Sequence, residues 1–352
     1  MESVQMDIFA ELYPKFTITK PIRLIELFAG IGSQAKALKN LGADFEHWKV
    51  VEIDRFAIAS YNAIHGTNYQ TSDITKIHAE DLEIVERDKY CYILTYSFPC
   101  QDLSIAGLGK GMTKGEGTRS GLLWEVERIL DECHGDLPQV LLMENVPQVI
   151  SKKHIADFYA WRGKLESLGY SNYVDILNAK DFSVPQNRAR CFMVSVLGEV
   201  SYSFPQKTEL TIRLKDVLEK EVDEKYFLSE KMLNHILKTG TKNFCAKPEI
   251  DLEISRTLLA TMHKMHRAGM DNYVSEGYVQ NGERLLLDDE ITGGGLMIPE
   301  KTKKGYAIAK DGDGVYINRP HQKRGVVQKG MVQTIKANVD VGVVVDESEE
   351  TV

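Results

Sequence analysis

Along the first two hundred residues, short apolar runs alternate with stretches whose apolar positions recur every three or four residues. The runs are IRLIELFAG, HWKVVEID, CYILTYS, QVLLMENV, YVDILNA and CFMVSVL. Unbroken apolar runs of this length, rich in β-branched residues, predict strands buried on both faces of a sheet. Between them, residues 35–41, 55–65 and 121–133 predict helices, and in the last of these Leu122, Leu123, Val126, Ile129 and Leu130 fall on one stripe. Ile155, Phe158, Arg162, Leu165 and Leu168 mark a further helix with a mainly apolar stripe. Strands alternating with helices predict an α/β, doubly wound, mostly parallel sheet covered on both sides.

Past about residue 200 this rhythm fades. KPEID, ITGGGLMIPE and KDGDGVY bring proline, glycine and polar residues, and only 230–238 predicts a helix. The expected organisation is a catalytic domain over 1–200, a smaller, loop-rich, largely β second domain over 201–345, and an acidic tail over 346–352. With 352 residues and 43% hydrophobic content the chain has material for a substantial core. No apolar run approaches the ~18 residues of a membrane span. The start, MESVQMDIFAELYPKF, is acidic where a secretory signal would be basic, so a cytoplasmic location is expected. Cys91, Cys100, Cys133, Cys191 and Cys245 form no CxxC pair, so neither a metal site nor a disulfide framework is expected.

The net charge of −8 excludes a chain that is basic over its whole surface. Between Lys301 and Lys336, however, nine basic residues stand against Asp311 and Asp313. Such a run is either a solvated face or a set of phosphate contacts.

The candidate chemistry gathers at strand ends. The first strand runs into Ala29, Gly30, Ile31, Gly32 and Ser33, where glycines allow a tight turn and close approach to a ligand. A lone turn of this kind is weak. Glu52 adds to it by ending the next strand about 20 residues later, where a carboxylate can accept hydrogen bonds from ribose hydroxyls. Asp73, in SDIT, sits near the end of a third element and can accept from an adenine amino group. Three such positions along one sheet edge describe an adenosine-containing ligand.

In TYSFPCQDLSIAG, Cys100 closes a strand at that same edge, with Pro99 stiffening the backbone before it. The following loop carries Gly107, Gly109, Gly111, Gly115 and Gly117 with Lys110, Lys114 and Arg119, the composition of either a basic lid or an ordinary long loop. Glu144 and Asn145 end LLMENV, and an acid at a strand end beside a cleft is unfavourable unless paired or working. Gln186, Arg188 and Arg190 alternate before CFMVSV, so all three can face one side. A thiol, a carboxyl and two guanidinium groups thus converge on one pocket.

In this order, FAGIGS, SFPCQDLS, ENV and QNRAR resemble the signatures of the cytosine C5 DNA methyltransferases of bacterial or phage type. The resemblance covers residues 20–198 and, more loosely, the chain up to about 345. It implies S-adenosylmethionine held by Phe28, Gly30, Ile31, Gly32, Glu52, Ile53, Asp73, Ile74 and Pro99. It also implies a Cys100 adduct at C6 of a flipped-out cytosine in double-stranded DNA, with Glu144 at N3 and the exocyclic amine, and Arg190, supported by Arg188, at O2. Ser97, Gln101, Asn145 and Gln186 would join the substrate contacts, and Lys323 and Arg324 are candidate readers of the DNA sequence. The family's further helix and GNS-type motif are not matched by MVQTIKANVDVGVVVDESEETV. Three expectations follow: a second polypeptide supplies them, the gene is truncated and the product weak or inactive, or the contacts are met otherwise. Competing functions are a tRNA cytosine methyltransferase, a DNA-binding subunit without catalysis, and a nucleotide-dependent oxidoreductase, the last leaving Cys100, Glu144 and the arginines idle.

Overall fold

The computed structural model describes residues 13–99, 114, 120–222, 226–237, 248–259, 270–275, 279, 296–299, 306–309, 314–316, 327–328 and 341–343. The chain divides into two compact units, Met1–Thr211 and Ile212–Val352.

The first unit is built on six strands, β1 (Ile22–Leu27), β2 (Phe45–Val51), β3 (Cys91–Tyr96), β4 (Val140–Asn145), β5 (Tyr170–Asn178) and β7 (Ala189–Leu197), with a short β6 (Gln186–Asn187) before the last. Their order in the sheet is β2-β1-β3-β4-β7-β5. The first four run parallel, and β7 lies antiparallel between β4 and β5. From β1 the chain steps outward to β2 and then returns to the opposite side as β3. The carboxyl ends of β1 and β3 therefore carry connections that diverge, which opens a crevice where such sheets bind ligands.

One face of the sheet is closed by α3 (Leu123–Glu132) and α4 (Ile155–Ser167). Leu123, Val126, Ile129 and Leu130 of α3 are buried against Leu94, Tyr96, Leu141 and Met143. In α4 the buried residues are Phe158, Trp161 and Leu165, so the stripe passes through Trp161 and not Arg162. The Trp161 indole N–H donates to the buried Tyr96 hydroxyl at 3.0 Å, which supplies the partner a buried polar ring atom needs. Arg162 turns outward to Glu166, 2.8 Å away.

On the opposite face Ile22, Leu24, Ile93, Val140, Val194 and Val196 pack beneath α1 (Ser33–Asn40), with Phe16, Ile18, Tyr202 and Phe204 alongside. The remaining helix, α2 (Arg55–His65), is well specified at both ends. The Asp54 carboxylate accepts from the N–H groups of Phe56 and Ala57, and Gly66 ends the helix at φ 70°.

The second unit contains α5 (Glu230–Leu237) and the short strands β8 (Ser255–Arg256) to β13 (Val341–Val343). Strands β9 (Leu296–Pro299) and β10 (Tyr306–Ala309) form an antiparallel pair, and β11 (Gly314–Tyr316) pairs antiparallel with both β12 (Val327–Gln328) and β13. The nine basic residues between Lys301 and Lys336 lie outside the described residues. Among the described residues no helix is long and apolar enough to cross a membrane.

Candidate active site

After β1 the backbone enters the left-handed region three times, at Phe28 (φ 58°), Gly30 (φ 56°) and Gly32 (φ 79°). A bulky residue held there stores local strain, a feature that concentrates at functional sites. The next N–H, of Ala29, is fixed by the Val51 carbonyl at 3.1 Å. The two glycines are required for different reasons. A Cβ on Gly32 would come within 2.4 Å of His65 Nε2 and 2.6 Å of Tyr61 Cε2, whereas one on Gly30 would meet nothing within 4 Å. Gly30 therefore leaves open space beside the loop.

Glu52 ties this loop to the end of β2. Its Oε2 accepts the Gly30 N–H and its Oε1 accepts the Asp54 N–H, both at 2.8 Å. Each carboxylate oxygen keeps a second lone pair for a ligand. The Glu52 carbonyl accepts the Ser72 N–H at 2.8 Å, bringing the Asp73 turn alongside. Asp73 Oδ1 accepts from the Thr75 N–H and hydroxyl, bonds that hold this carboxyl below its ordinary range. Ile74 is buried in the core, so only its backbone can meet a ligand; its carbonyl accepts from Arg128 at 3.2 Å. Ile53 is largely exposed beside Glu52.

A cavity of about 1170 Å³ opens along the α1 side of the sheet, and its walls include Phe28, Gly30, Ile31, Ser97, Glu144, Arg188 and Arg190. Glu144 sits opposite Phe192 in the β4–β7 ladder, and Arg190, two residues along, shares the face of Phe192. Glu144 Oε1 lies 2.9 Å from Arg190 Nε and 3.9 Å from Arg188 Nη2. Residues of the loop after β1 and the carboxylate–guanidinium pair thus share one space.

Other expected residues lie elsewhere. Asn145 does not face the cavity: it is 2% exposed, and its amide is used internally. Its Nδ2 donates to the Phe98 carbonyl at 3.0 Å and its Oδ1 accepts the Val146 N–H at 2.9 Å. These bonds brace the exit of β3. The Pro99 carbonyl accepts the Ser120 hydroxyl at 2.8 Å, which ties the two roots of the intervening loop together. Gly32, Glu52, Ile53, Asp73, Ile74, Pro99 and Gln186 are not among the walls of this cavity. Cys100, Gln101, Lys323 and Arg324 lie outside the described residues.

Two amide side chains on the cavity wall, Gln34 and Asn178, are not marked by any motif. Gln34, in the first turn of α1, donates to the Ser97 hydroxyl at 3.1 Å. Asn178 accepts the Arg188 N–H at 2.9 Å and donates to Asn187 Oδ1 at 2.7 Å, fixing the backbone from which the arginines project. An asparagine at a strand end is a turn signal, which is how this one is detectable in hindsight.

The family model for C-5 cytosine-specific DNA methylases matches residues 22–331. The chain belongs to this family. It is 34% identical to the orphan methyltransferase M.SssI of Spiroplasma monobiae (strain ATCC 33825 / MQ-1), over 83% of this chain and 84% of the relative. It is also 34% identical to the type II methyltransferase M2.ScrFI of Lactococcus lactis subsp. cremoris, over 60% of this chain and 72% of that one. A likeness of fold extends to the Entamoeba histolytica methyltransferase EhMeth, with 18% identity and a TM-score of 0.57 over 78% of this chain and 85% of that structure. The protein is a DNA cytosine C5 methyltransferase that uses S-adenosylmethionine.

The residues present fit that cofactor. Gly30 leaves open the volume a Cβ would take, and both Glu52 oxygens keep acceptor capacity for a diol. The Ser72 hydroxyl beside Asp73 is buried without a partner among the described residues, one more polar atom available on this edge.

Proposed function

We propose that this methyltransferase acts on a cytosine turned out of double-stranded DNA, with Cys100 as nucleophile and with Glu144 and Arg190 gripping the ring edge. The supporting observation is the Glu144–Arg190 pair on the wall of the cavity that also holds Phe28, Gly30 and Ile31. Cytosine C5 is too electron-poor to take a methyl group directly. Addition of the Cys100 thiolate forms an S–C6 bond and pushes the ring electrons toward C5, splitting a hard step into two easier ones. Glu144 faces N3 and the exocyclic amine, favouring protonation of N3 as charge builds there, while Arg190, supported by Arg188, donates to O2. Bound S-adenosylmethionine supplies an electrophilic methyl group. Once C5 is methylated, its proton leaves to a water, and the returning electrons break the S–C6 bond and release the thiolate. A paired base cannot reach such a cavity, so it must leave the stack.

Residues 1–200 form the catalytic part in this proposal, and residues 201–345 read the DNA, with Lys323 and Arg324 among the candidate contacts to phosphates or base edges. The alternative, a divided enzyme completed by a second polypeptide, rests on one observation, the apolar wall of the same cavity. Leu142 and Phe192 line it with Ala37 and Leu38 of α1 and with Leu41 just past its end, and Leu41 is 80% exposed. Apolar surface gathered in this way marks a place for a covering segment. Bisulfite sequencing of DNA from cells expressing this chain alone tests both proposals. Methylated cytosines at a defined sequence are expected; methylation only when a second protein is co-expressed would establish a divided enzyme, and none in either case would overturn the assignment.

A further inference from the structure

Beneath the cofactor loop lies a chain of titratable groups that the mechanism above does not use. Glu26, on β1 two residues before Phe28, is 0% exposed. Its Oε1 accepts the N–H of Ala35 in the first turn of α1 at 3.3 Å, and its Oε2 lies 2.5 Å from the Tyr61 hydroxyl. That hydroxyl, also fully buried, lies 2.6 Å from His47 Nδ1. His65 packs on the Tyr61 ring with centroids 4.6 Å apart, and its Nε2 is 3.2 Å from the Ile31 carbonyl oxygen. Gly32 rests on this pair so closely that no side chain fits between them. The loop that would hold the cofactor is therefore seated on Tyr61 and His65, and Tyr61 is seated on Glu26.

Proton counting restricts the states of this chain. The Tyr61 hydroxyl carries one proton and has two neighbours in hydrogen-bonding range, so it donates to Glu26 or to His47 but not to both. If Glu26 is ionised, Tyr61 donates to it and His47 must donate from Nδ1. If Glu26 is protonated, it donates to Tyr61, Tyr61 donates to Nδ1, and neutral His47 carries its proton on Nε2. The ionised form would bury a charge that has no ion-pair partner among the described residues, an unfavourable arrangement.

Other titratable groups face this chain. Tyr61 and His65 face it from α2, Tyr69 from the segment after α2, His47 and Glu46 from β2, and Lys39 from α1. The charge of Glu46 is met by Arg23. Burial raises the Glu26 carboxyl above its ordinary range, outweighing the bonds from Tyr61 and Ala35. Burial, then His65 and Lys39, lowers His47.

We infer that Glu26 keeps its proton in the working enzyme and, through Tyr61 and His65, positions the cofactor loop, so that ionising this one carboxyl weakens cofactor binding. The inference rests on reading Phe28–Gly32 as the cofactor loop. Glu26 is a positioning residue, and it touches no reacting atom.

Titration calorimetry of the full chain with S-adenosylhomocysteine, from neutral to alkaline pH, tests this. If only the protonated form binds, wild-type affinity falls about tenfold per pH unit above the Glu26 titration. Glu26→Gln, a neutral side chain that can donate to Tyr61 and accept from Ala35, should bind as wild type does at neutral pH and lose that decline. Infrared spectroscopy supplies a readout that does not depend on the variant's folding: the wild type should show a protonated-carboxyl band that disappears as affinity falls. Wild-type affinity that stays flat into alkali, or a wild type without that band at neutral pH, would overturn the inference while leaving the loop assignment intact. A wild type that binds at no pH would overturn the loop assignment and this inference with it.

Discussion

At the residue scale, the Glu144–Arg190 pair is the clearest element of the site. The two side chains are 21% and 17% exposed and meet at 2.9 Å. Arg190→Ala removes the donor assigned to the cytosine O2 and is expected to lower kcat by about 100- to 1000-fold with modest change in cofactor affinity. Glu144→Gln should lower it by about 100- to 10,000-fold. Tritiated-methyl incorporation into duplex DNA measures both. The glycines separate in a different way. Gly30→Ala should fold, losing about 1–2 kcal/mol to its backbone conformation, but its new methyl enters the cofactor volume and cofactor binding should be lost. Gly32→Ala drives a methyl into Tyr61 and His65, so thermal denaturation should show a larger loss of stability. Equal stability of the two variants would contradict this division. Glu26 also leaves a mark on the fold. Its folded-state proton affinity is raised, so its contribution to stability is complete in acid and declines as pH rises through the folded value.

At the scale of elements, the site depends on how strand ends are tied together. Asn145 joins the end of β4 to Phe98, and Ser120 joins the start of α3 to Pro99. Together they fix the backbone that leads into Cys100. Asn145→Ala leaves a buried carbonyl without this donor, about 1–3 kcal/mol, and a part-buried N–H without its acceptor, and should lower methyl transfer more than cofactor affinity. Equal losses in both would point to general unfolding instead of a misplaced strand exit. The order of strands and helices was legible in the sequence because each apolar run ends in a turn signal. That Glu144, Arg188 and Arg190 come to one space was legible because alternation in a strand fixes their side. The internal bonds of Asn145 are not legible in the sequence, because a polar residue at a strand end reads the same whether it faces a ligand or braces a neighbouring strand. Trp161 and Arg162 show a similar limit: both lie near the helical stripe, and only the buried Tyr96 hydroxyl selects the tryptophan. Gln34 was missed because its partner, Ser97, is 63 residues away in the chain and adjacent only once β1 and β3 pair.

At the scale of the whole molecule, the two faces of the sheet differ. The face under α3 and α4 is closed by Phe158, Trp161 and Leu165, while the α1 face carries the cavity with its apolar wall. The cysteines reflect the same organisation. Cys91, Cys133 and Cys191 are buried, and burial raises their thiols to about 11, about 11 and about 12. Since the thiolate is the reactive form, these three should stay unlabelled by iodoacetamide at neutral pH in the folded protein, as peptide mapping would reveal. Labelling of any of them before unfolding would contradict the packing of the sheet. In the proposed reaction one thiol, that of Cys100, bonds to an extruded cytosine beside Glu144 and Arg190. Its most direct test is covalent trapping on duplex DNA whose cytosines are replaced by 5-fluorocytosine, where fluorine at C5 blocks proton loss and so prevents release of the sulfur. With S-adenosylmethionine present, the wild-type chain should form a complex that survives denaturing electrophoresis, Cys100→Ala should form none, and Arg190→Ala should form it more slowly. A complex that persists in Cys100→Ala, or methylation by a wild type that is never trapped, would contradict the account.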